Sequence, residues 1–165
     1  MLKLEEVASY WCCVGCDNSY VPGELHEPSQ LPVVRQVIVY LLAGYGHHDQ
    51  AELADEICRK LTSMALPVEA FRQLSRSLQT SRLDMVETVR SSASRLNAKG
   101  KHQVIQAAFL TTYVCCDLQY EDRLRINLMG NALGVGMEFT DSVIQDTRRR
   151  NCLGIRRLVQ PASEV

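Results

Sequence analysis

Apolar positions recur along this chain at spacings of three and four, and the strict alternation of a half-buried strand is absent. Residues 33–47 are apolar around almost their whole circumference, which predicts a central helix. Residues 101–116 have the same character and predict a second one. Amphipathic stretches predict five further helices. Residues 50–65 present Leu53, Ile57, Leu61 and Met64. Residues 67–79 open on Pro67 and present Val68, Phe71, Leu74 and Leu78. Residues 82–97 present Leu83, Val86, Val89, Ala93 and Leu96. Residues 119–133 present Leu124, Leu128, Met129 and Ala132, and residues 137–150 present Phe139, Val143 and Ile144. Asn97 with Gly100, and later Gly134, read as stop signals. Before these, residues 2–14 predict a short helix with Leu4, Val7, Ala8 and Trp11 on one face, followed by a Pro-containing loop to residue 32.

The pattern predicts an all-α fold, a compact bundle of seven to eight helices. Its parts are an N-terminal helix and loop at 1–32, a helical domain at 33–150, and a flexible tail at 151–165. A shift of 68 residues carries Asp49 onto Asp117, Tyr45 onto Tyr113, Leu42 onto Leu110 and Phe71 onto Phe139. The order of elements repeats as well: apolar helix, acidic break, amphipathic helix, tight turn, shorter helix with a Phe. This predicts a pseudo-twofold internal repeat of 33–80 and 101–148, with the two apolar helices crossing at its axis.

A length of 165 residues fits one domain. Hydrophobic and charged fractions of 46% and 22% are ordinary for globular chains and exclude wholesale disorder. A net charge of −1 excludes a polyanion binder as a whole, and no specific nucleic-acid contact is expected. No membrane span and no signal peptide are legible, so a cytoplasmic location is expected. Seven cysteines, an odd number, predict reduced and mostly buried thiols rather than a disulfide framework. Cys13 and Cys16, with His26, form one ligand pair and a single histidine, too few for a structural zinc site. His47 and His48 point about 100° apart on a helix and suit a helix C-terminus better than a shared ion.

Two clusters carry the candidate chemistry. Asp49, Glu52 and Glu56 fall on one face of a continuous helix, and Asp117 occupies the related place in the second half. Clustered like charge suits a hard divalent cation, so these four residues are the candidate metal ligands, in a weak site completed by backbone carbonyls or water. Arg148, Arg149, Arg150, Arg156 and Arg157 form the candidate interaction cluster, a basic handle for an acidic protein or an acidic membrane surface. No catalytic motif emerges, and the expectation is a protein that is not an enzyme.

The grammar of an apolar helix, an Asp, an acidic helix and a small-residue turn resembles the tellurite-resistance protein B (TerB-like) family. That family's repeat resembles Asp-Gly-x-Ile-x-x-x-Glu followed by Leu-Gly. Here the second half has Asp117-Leu118-Gln119-Tyr120, then Ala132-Leu133-Gly134-Val135. The first half has Asp49, Glu56, then Met64-Ala65-Leu66-Pro67. Gln50 and Leu118 stand where the family has Gly, and Leu124 stands where the second repeat has Glu. The resemblance covers residues 33–147. It implies an all-helical, pseudo-twofold, non-catalytic adaptor or stress-response module with a weak divalent-metal role. The other expectation is a bacterial accessory protein of secretion or virulence type. Such a protein would bind a partner chain, or a second copy as a homodimer, through an exposed helical surface.

Overall fold

The computed structural model describes residues 30–81, 84–152 and 154–158. The helix predicted over residues 2–14, with Cys12, Cys13, Cys16 and His26, lies outside the described residues. The described residues form seven α-helices and no strand: α1 (Leu31–Gly44), α2 (Ala51–Thr62), α3 (Val68–Ser81), α4 (Met85–Ser92), α5 (Ala98–Cys115), α6 (Tyr120–Ala132) and α7 (Met137–Arg150). A 3-10 turn, Ala93–Arg95, follows α4. The chain is all-α, as its periodicity predicts. Among the described residues no helix is long and apolar enough to cross a membrane.

The two apolar helices are the centre. α1 and α5 pack on each other more extensively than any other pair, α7 covers α5, and α2 and α3 cover α1. Val34, Val37, Ile38 and Leu42 on α1 are fully buried, as are Val104, Ile105, Ala108 and Leu110 on α5. Helices apolar on nearly every side have no face to give to water, so amphipathic helices must surround them. Gly100 leaves room on α5 for the Gln30 side chain. A Cβ there would overlap the Gln30 side-chain oxygen.

Caps fix the helix ends. The α1 chain stops at Gly44 because Gly46, at φ 85°, turns it. The His47 and Gly46 amides then return to the Leu42 and Ala43 carbonyls, the double bond of a Schellman ending. Gly134, at φ 78°, ends α6 likewise, with Val135 N–H to Gly130 and Gly134 N–H to Asn131. Asn97 and Gly100 act in the opposite sense to the stop they suggest. The Asn97 side chain accepts from the Gly100 amide at 2.9 Å and opens α5, which therefore starts earlier than its apolar run. Asp84 does the same for α4 through the Val86 amide at 3.0 Å.

The helix borders respect the 68-residue shift. It carries α2 onto residues 119–130 and α3 onto 136–149, against α6 and α7 as observed. At core positions the correspondence reaches side chains: Val37 with Ile105, Leu41 with Phe109 and Cys58 with Ile126 are all buried.

Some faces differ from expectation. Met64 and Val68 flank the turn between α2 and α3 and are exposed. Residues 154–158, expected as part of a flexible tail, are docked on the end of α5. The Arg157 guanidinium donates to the Tyr113 and Cys116 carbonyls at 2.9 and 3.0 Å and lies 4.3 Å from the Tyr113 ring centroid. The Leu158 amide donates to the Val114 carbonyl at 2.7 Å. The last carbonyls of a helix lack partners within it, and this segment supplies them.

Candidate functional site

The second amphipathic helix of the second half, α6, carries apolar residues on two sides. Ile126, Met129 and Ala132 face the core and are buried. Tyr120, Leu124 and Leu128, spaced by four, form one row, and 73%, 41% and 53% of their surfaces remain in water. Leu124 and Leu128, expected as core positions, are on the outside. The inward face is taken by Ile126 and Met129, where α6 packs among its neighbours α4, α5 and α7.

Leu124 and Leu128 form one wall of a groove of about 350 Å³. The other wall is Met85 and Val86 of α4, with Tyr40 of α1 at the base. The rim carries charge of both signs: Asp84 and Glu121 on one hand, Arg125 on the other.

Arg125 is held in place by a polar cluster where the end of α1 meets the start of α6. The Tyr45 hydroxyl donates to Asp122 Oδ1 at 2.6 Å, and Arg125 Nη1 donates to the Tyr45 oxygen at 2.7 Å. Arg125 also lies 3.5 Å from Asp122 Oδ1 and stacks over the Tyr45 ring at 5.6 Å. Asp122 Oδ2 accepts from the Gln119 amide at 2.9 Å and from the Cys116 thiol at 3.6 Å. Gln119 and Asp122 form a reciprocal capping box at the start of α6. Burial pushes the Tyr45 phenol far above its ordinary range, and the neighbouring Asp122 pushes it further. Burial also works against the Asp122 carboxylate. The Tyr45 hydroxyl, the Gln119 amide, the Cys116 thiol and Arg125 outweigh that and hold the carboxyl below its ordinary range. The result is a fixed carboxylate that fixes a guanidinium, with 42% of the Arg125 side chain still open to water beside the groove.

This cluster was not legible as a site. In the sequence Tyr45 is marked only by its match to Tyr113 across the 68-residue shift, and Asp122 is one of two acids at the start of α6. The capping-box spacing of Gln119 and Asp122 was the one local signal, and Tyr45 lies 77 residues away in sequence.

The proposed metal ligands are not brought together. Asp49 lies in the turn before α2, Glu52 is exposed in the first turn of α2, and Glu56 is half-buried a turn further on. Asp117, largely exposed, lies 3.4 Å from Arg157. Among the described residues no three His, Cys, Asp or Glu side chains converge as a metal site. The helix begins after Asp49, so the continuous face that would stack the acids does not extend to it. The proposed basic handle is dispersed too. Arg149 and Arg150 pair with Asp146 at 3.6 and 2.9 Å, and Arg148 lies 5.6 Å from the Phe109 ring centroid. Arg156 donates to Gln50 at 3.2 Å, and Arg157 is the tail anchor described above. His47 and His48 lie in the turn after α1, not on a helix.

Neither a protein-family model, nor a curated protein, nor a solved structure matches this chain.

Proposed function

We propose that this protein is a non-catalytic helical adaptor of tellurite-resistance protein B type. In this reading it takes an amphipathic helix of a protein partner into the groove between α4 and α6. The observation that carries the reading is the exposed pair Leu124 and Leu128 facing Met85 and Val86 across an open groove, with Tyr120 exposed one turn before them. Large apolar side chains held in water favour a cover, each contributing about 1.5–3 kcal/mol when fully buried. A helix laid in such a groove presents residues at i, i+3 or i+4 and i+7 to a wall of matching spacing. Arg125 supplies orientation, because a guanidinium already held by Asp122 and Tyr45 loses little freedom when it meets a carboxylate. The helix order and the 68-residue correspondence of α2 and α3 with α6 and α7 support the family reading. The stress-response setting rests on the sequence resemblance alone.

A photo-crosslinking residue at position 128, introduced in the native cell, tests the proposal. The expected adduct is with a helical segment of another protein. That segment, titrated as a purified peptide, is expected to bind at least about tenfold more weakly to the Leu124→Asp variant, a difference of about 1.4 kcal/mol. An unchanged affinity in that variant, or no adduct with any other chain, removes the proposal.

A further inference from the structure

We propose that α6 of a second copy of this chain occupies the α4–α6 groove, and reciprocally, so that the protein rests as a twofold dimer which a foreign helix must open. The inference rests on reading the groove as a helix-binding site and names its occupant at rest.

The groove is lined on α6 by Glu121, Leu124, Arg125, Leu128 and Met129. These stand at i, i+3, i+4, i+7 and i+8, the stripe that one helix presents to another. Leu124 and Leu128 are exposed on it. α6 is therefore both the wall of the groove and a helix of the kind the groove takes, with apolar side chains one turn apart and a charge of each sign beside them. A second α6 laid against it reaches Val86 and Asp84 of α4 on the other side of the groove.

Charge selects the arrangement. Two like patches joined by a twofold axis must be self-complementary, because residue i meets j and j meets i. Glu121 and Arg125 lie one turn apart on the same face, so the patch carries both members of an ion pair. A parallel pair of α6 helices would set Glu121 level with Glu121 and Arg125 level with Arg125. An antiparallel pair centred at the level of Arg123 sets Glu121 of each copy level with Arg125 of the other. The two Leu124 residues then lie about 3 Å apart along the axis, within packing reach of each other. Arg125 is already oriented by the Tyr45 oxygen at 2.7 Å and by Asp122, so it loses little freedom on pairing. The groove of about 310 Å³ between α1 and α3 is lined by Arg35 with no acid, and is not self-complementary in this way. Two exposed leucines and a half-buried Val86 per copy make a modest apolar contact, so the dimer is reversible and open to competition.

Sedimentation velocity of the full chain over a concentration series tests this. The mass is expected to rise reversibly from one chain to two in the micromolar range. Glu121→Arg, which sets an arginine against Arg125 of the second copy, and Leu124→Asp are each expected to raise the dissociation constant at least about tenfold. Arg125→Glu is expected to do the same. Mixed in equal amounts, Glu121→Arg chains and Arg125→Glu chains are expected to regain association as heterodimers, because each contact then joins opposite charges. Val68→Asp, at an exposed position of α3, which packs on α1 and α2, is expected to change nothing. Circular dichroism checks that each variant is folded. Glu121 takes no part in the Tyr45–Asp122 cluster, so Glu121→Arg decides the matter if Arg125→Glu fails to fold. A chain that stays monomeric up to about 1 mM overturns the inference. So does a dimer indifferent to Glu121→Arg and Leu124→Asp, or a mixture of folded charge variants that does not associate. The two proposals fail separately. A dimer that behaves as expected, with only self-adducts from position 128, removes the adaptor reading alone. A monomer that crosslinks to a foreign helix removes this inference alone.

Discussion

Asp122 and His102 are titratable side chains whose environments give opposite charge states inside one small domain. Asp122 is held ionised by its donors, so its folded value lies below the unfolded value of about 3.9. Its stabilisation is present above that pH and is lost as pH falls toward the folded value. His102 is held neutral by burial. Asp146 opposes this, Arg150 and Lys99 assist it, and its ring sits edge-on to Phe139 at 6.3 Å. Its folded value lies below the unfolded value of about 6.5, so stability declines as pH falls through the region just below that value. Urea midpoints measured from pH 8 to pH 3 are expected to show both declines. His102→Gln is expected to flatten the upper one and Asp122→Asn the lower one. The thiols follow the same logic. Burial, reinforced by Cys116, pushes Cys115 up to about 12. Burial also raises Cys116 and Cys152, although Arg148, Arg157 and Lys60 oppose it at Cys152. The thiolate is the reactive form. Site-resolved alkylation of the native protein at pH 8 is therefore expected to leave Cys115 unlabelled and to label Cys116 and Cys152 slowly, while Cys58, fully buried, is out of the reagent's reach. Rapid modification of Cys115 would contradict the packing around α5.

Helix faces and crossings are decided one level up. α6 and α7 approach closely because Gly130 lies where a Cβ would come within 2.5 Å of Thr140 Oγ1, and Thr140 is itself buried. Gly130→Ala is expected to cost about 1–3 kcal/mol, in the range of overpacked cores. Thr140→Ala in the same chain removes the clashing oxygen and is expected to recover part of that loss, giving a double-mutant coupling measurable from denaturant midpoints. Additive losses would place the crossing elsewhere. The rest of α6 shows why helix faces were hard to assign from spacing. Leu124 and Leu128 fit a buried stripe as well as Ile126 and Met129 do, and the choice falls to how α4, α5 and α7 pack around α6.

At the scale of the whole molecule, the C-terminal segment closes the end of α5. Arg157 ties together the Tyr113 and Cys116 carbonyls, the Tyr113 ring and Asp117, while the Leu158 amide bonds Val114. Arg157→Ala is expected to speed hydrogen exchange at the Leu158 amide by at least about tenfold, with α5 interior amides much less affected, because local opening is cheaper than global unfolding. Equal acceleration throughout α5 would show instead that the anchor supports the whole core. The same segment explains the fate of the basic cluster. Arginines near a helix end are drawn to unpaired carbonyls and nearby carboxylates: Arg149 and Arg150 share Asp146, while Arg157 takes the Tyr113 and Cys116 carbonyls.

The sequence by itself determined the elements. Two helices apolar on nearly every side had to be central, Gly134 had to end α6, and the 68-residue repetition fixed the order of the helices that follow each centre. These are local consequences of 3.6-residue periodicity and backbone conformation, which a single strand of text carries. Only the tertiary structure decided which of two apolar faces of α6 is inside, that Tyr45 meets Asp122 and Arg125, that Asp117 lies beside Arg157, and that Asn97 opens α5 instead of ending the helix before it. Each depends on a partner far along the chain or on the competition between two locally acceptable arrangements. Burial against a specific neighbour, rather than spacing, settles that competition.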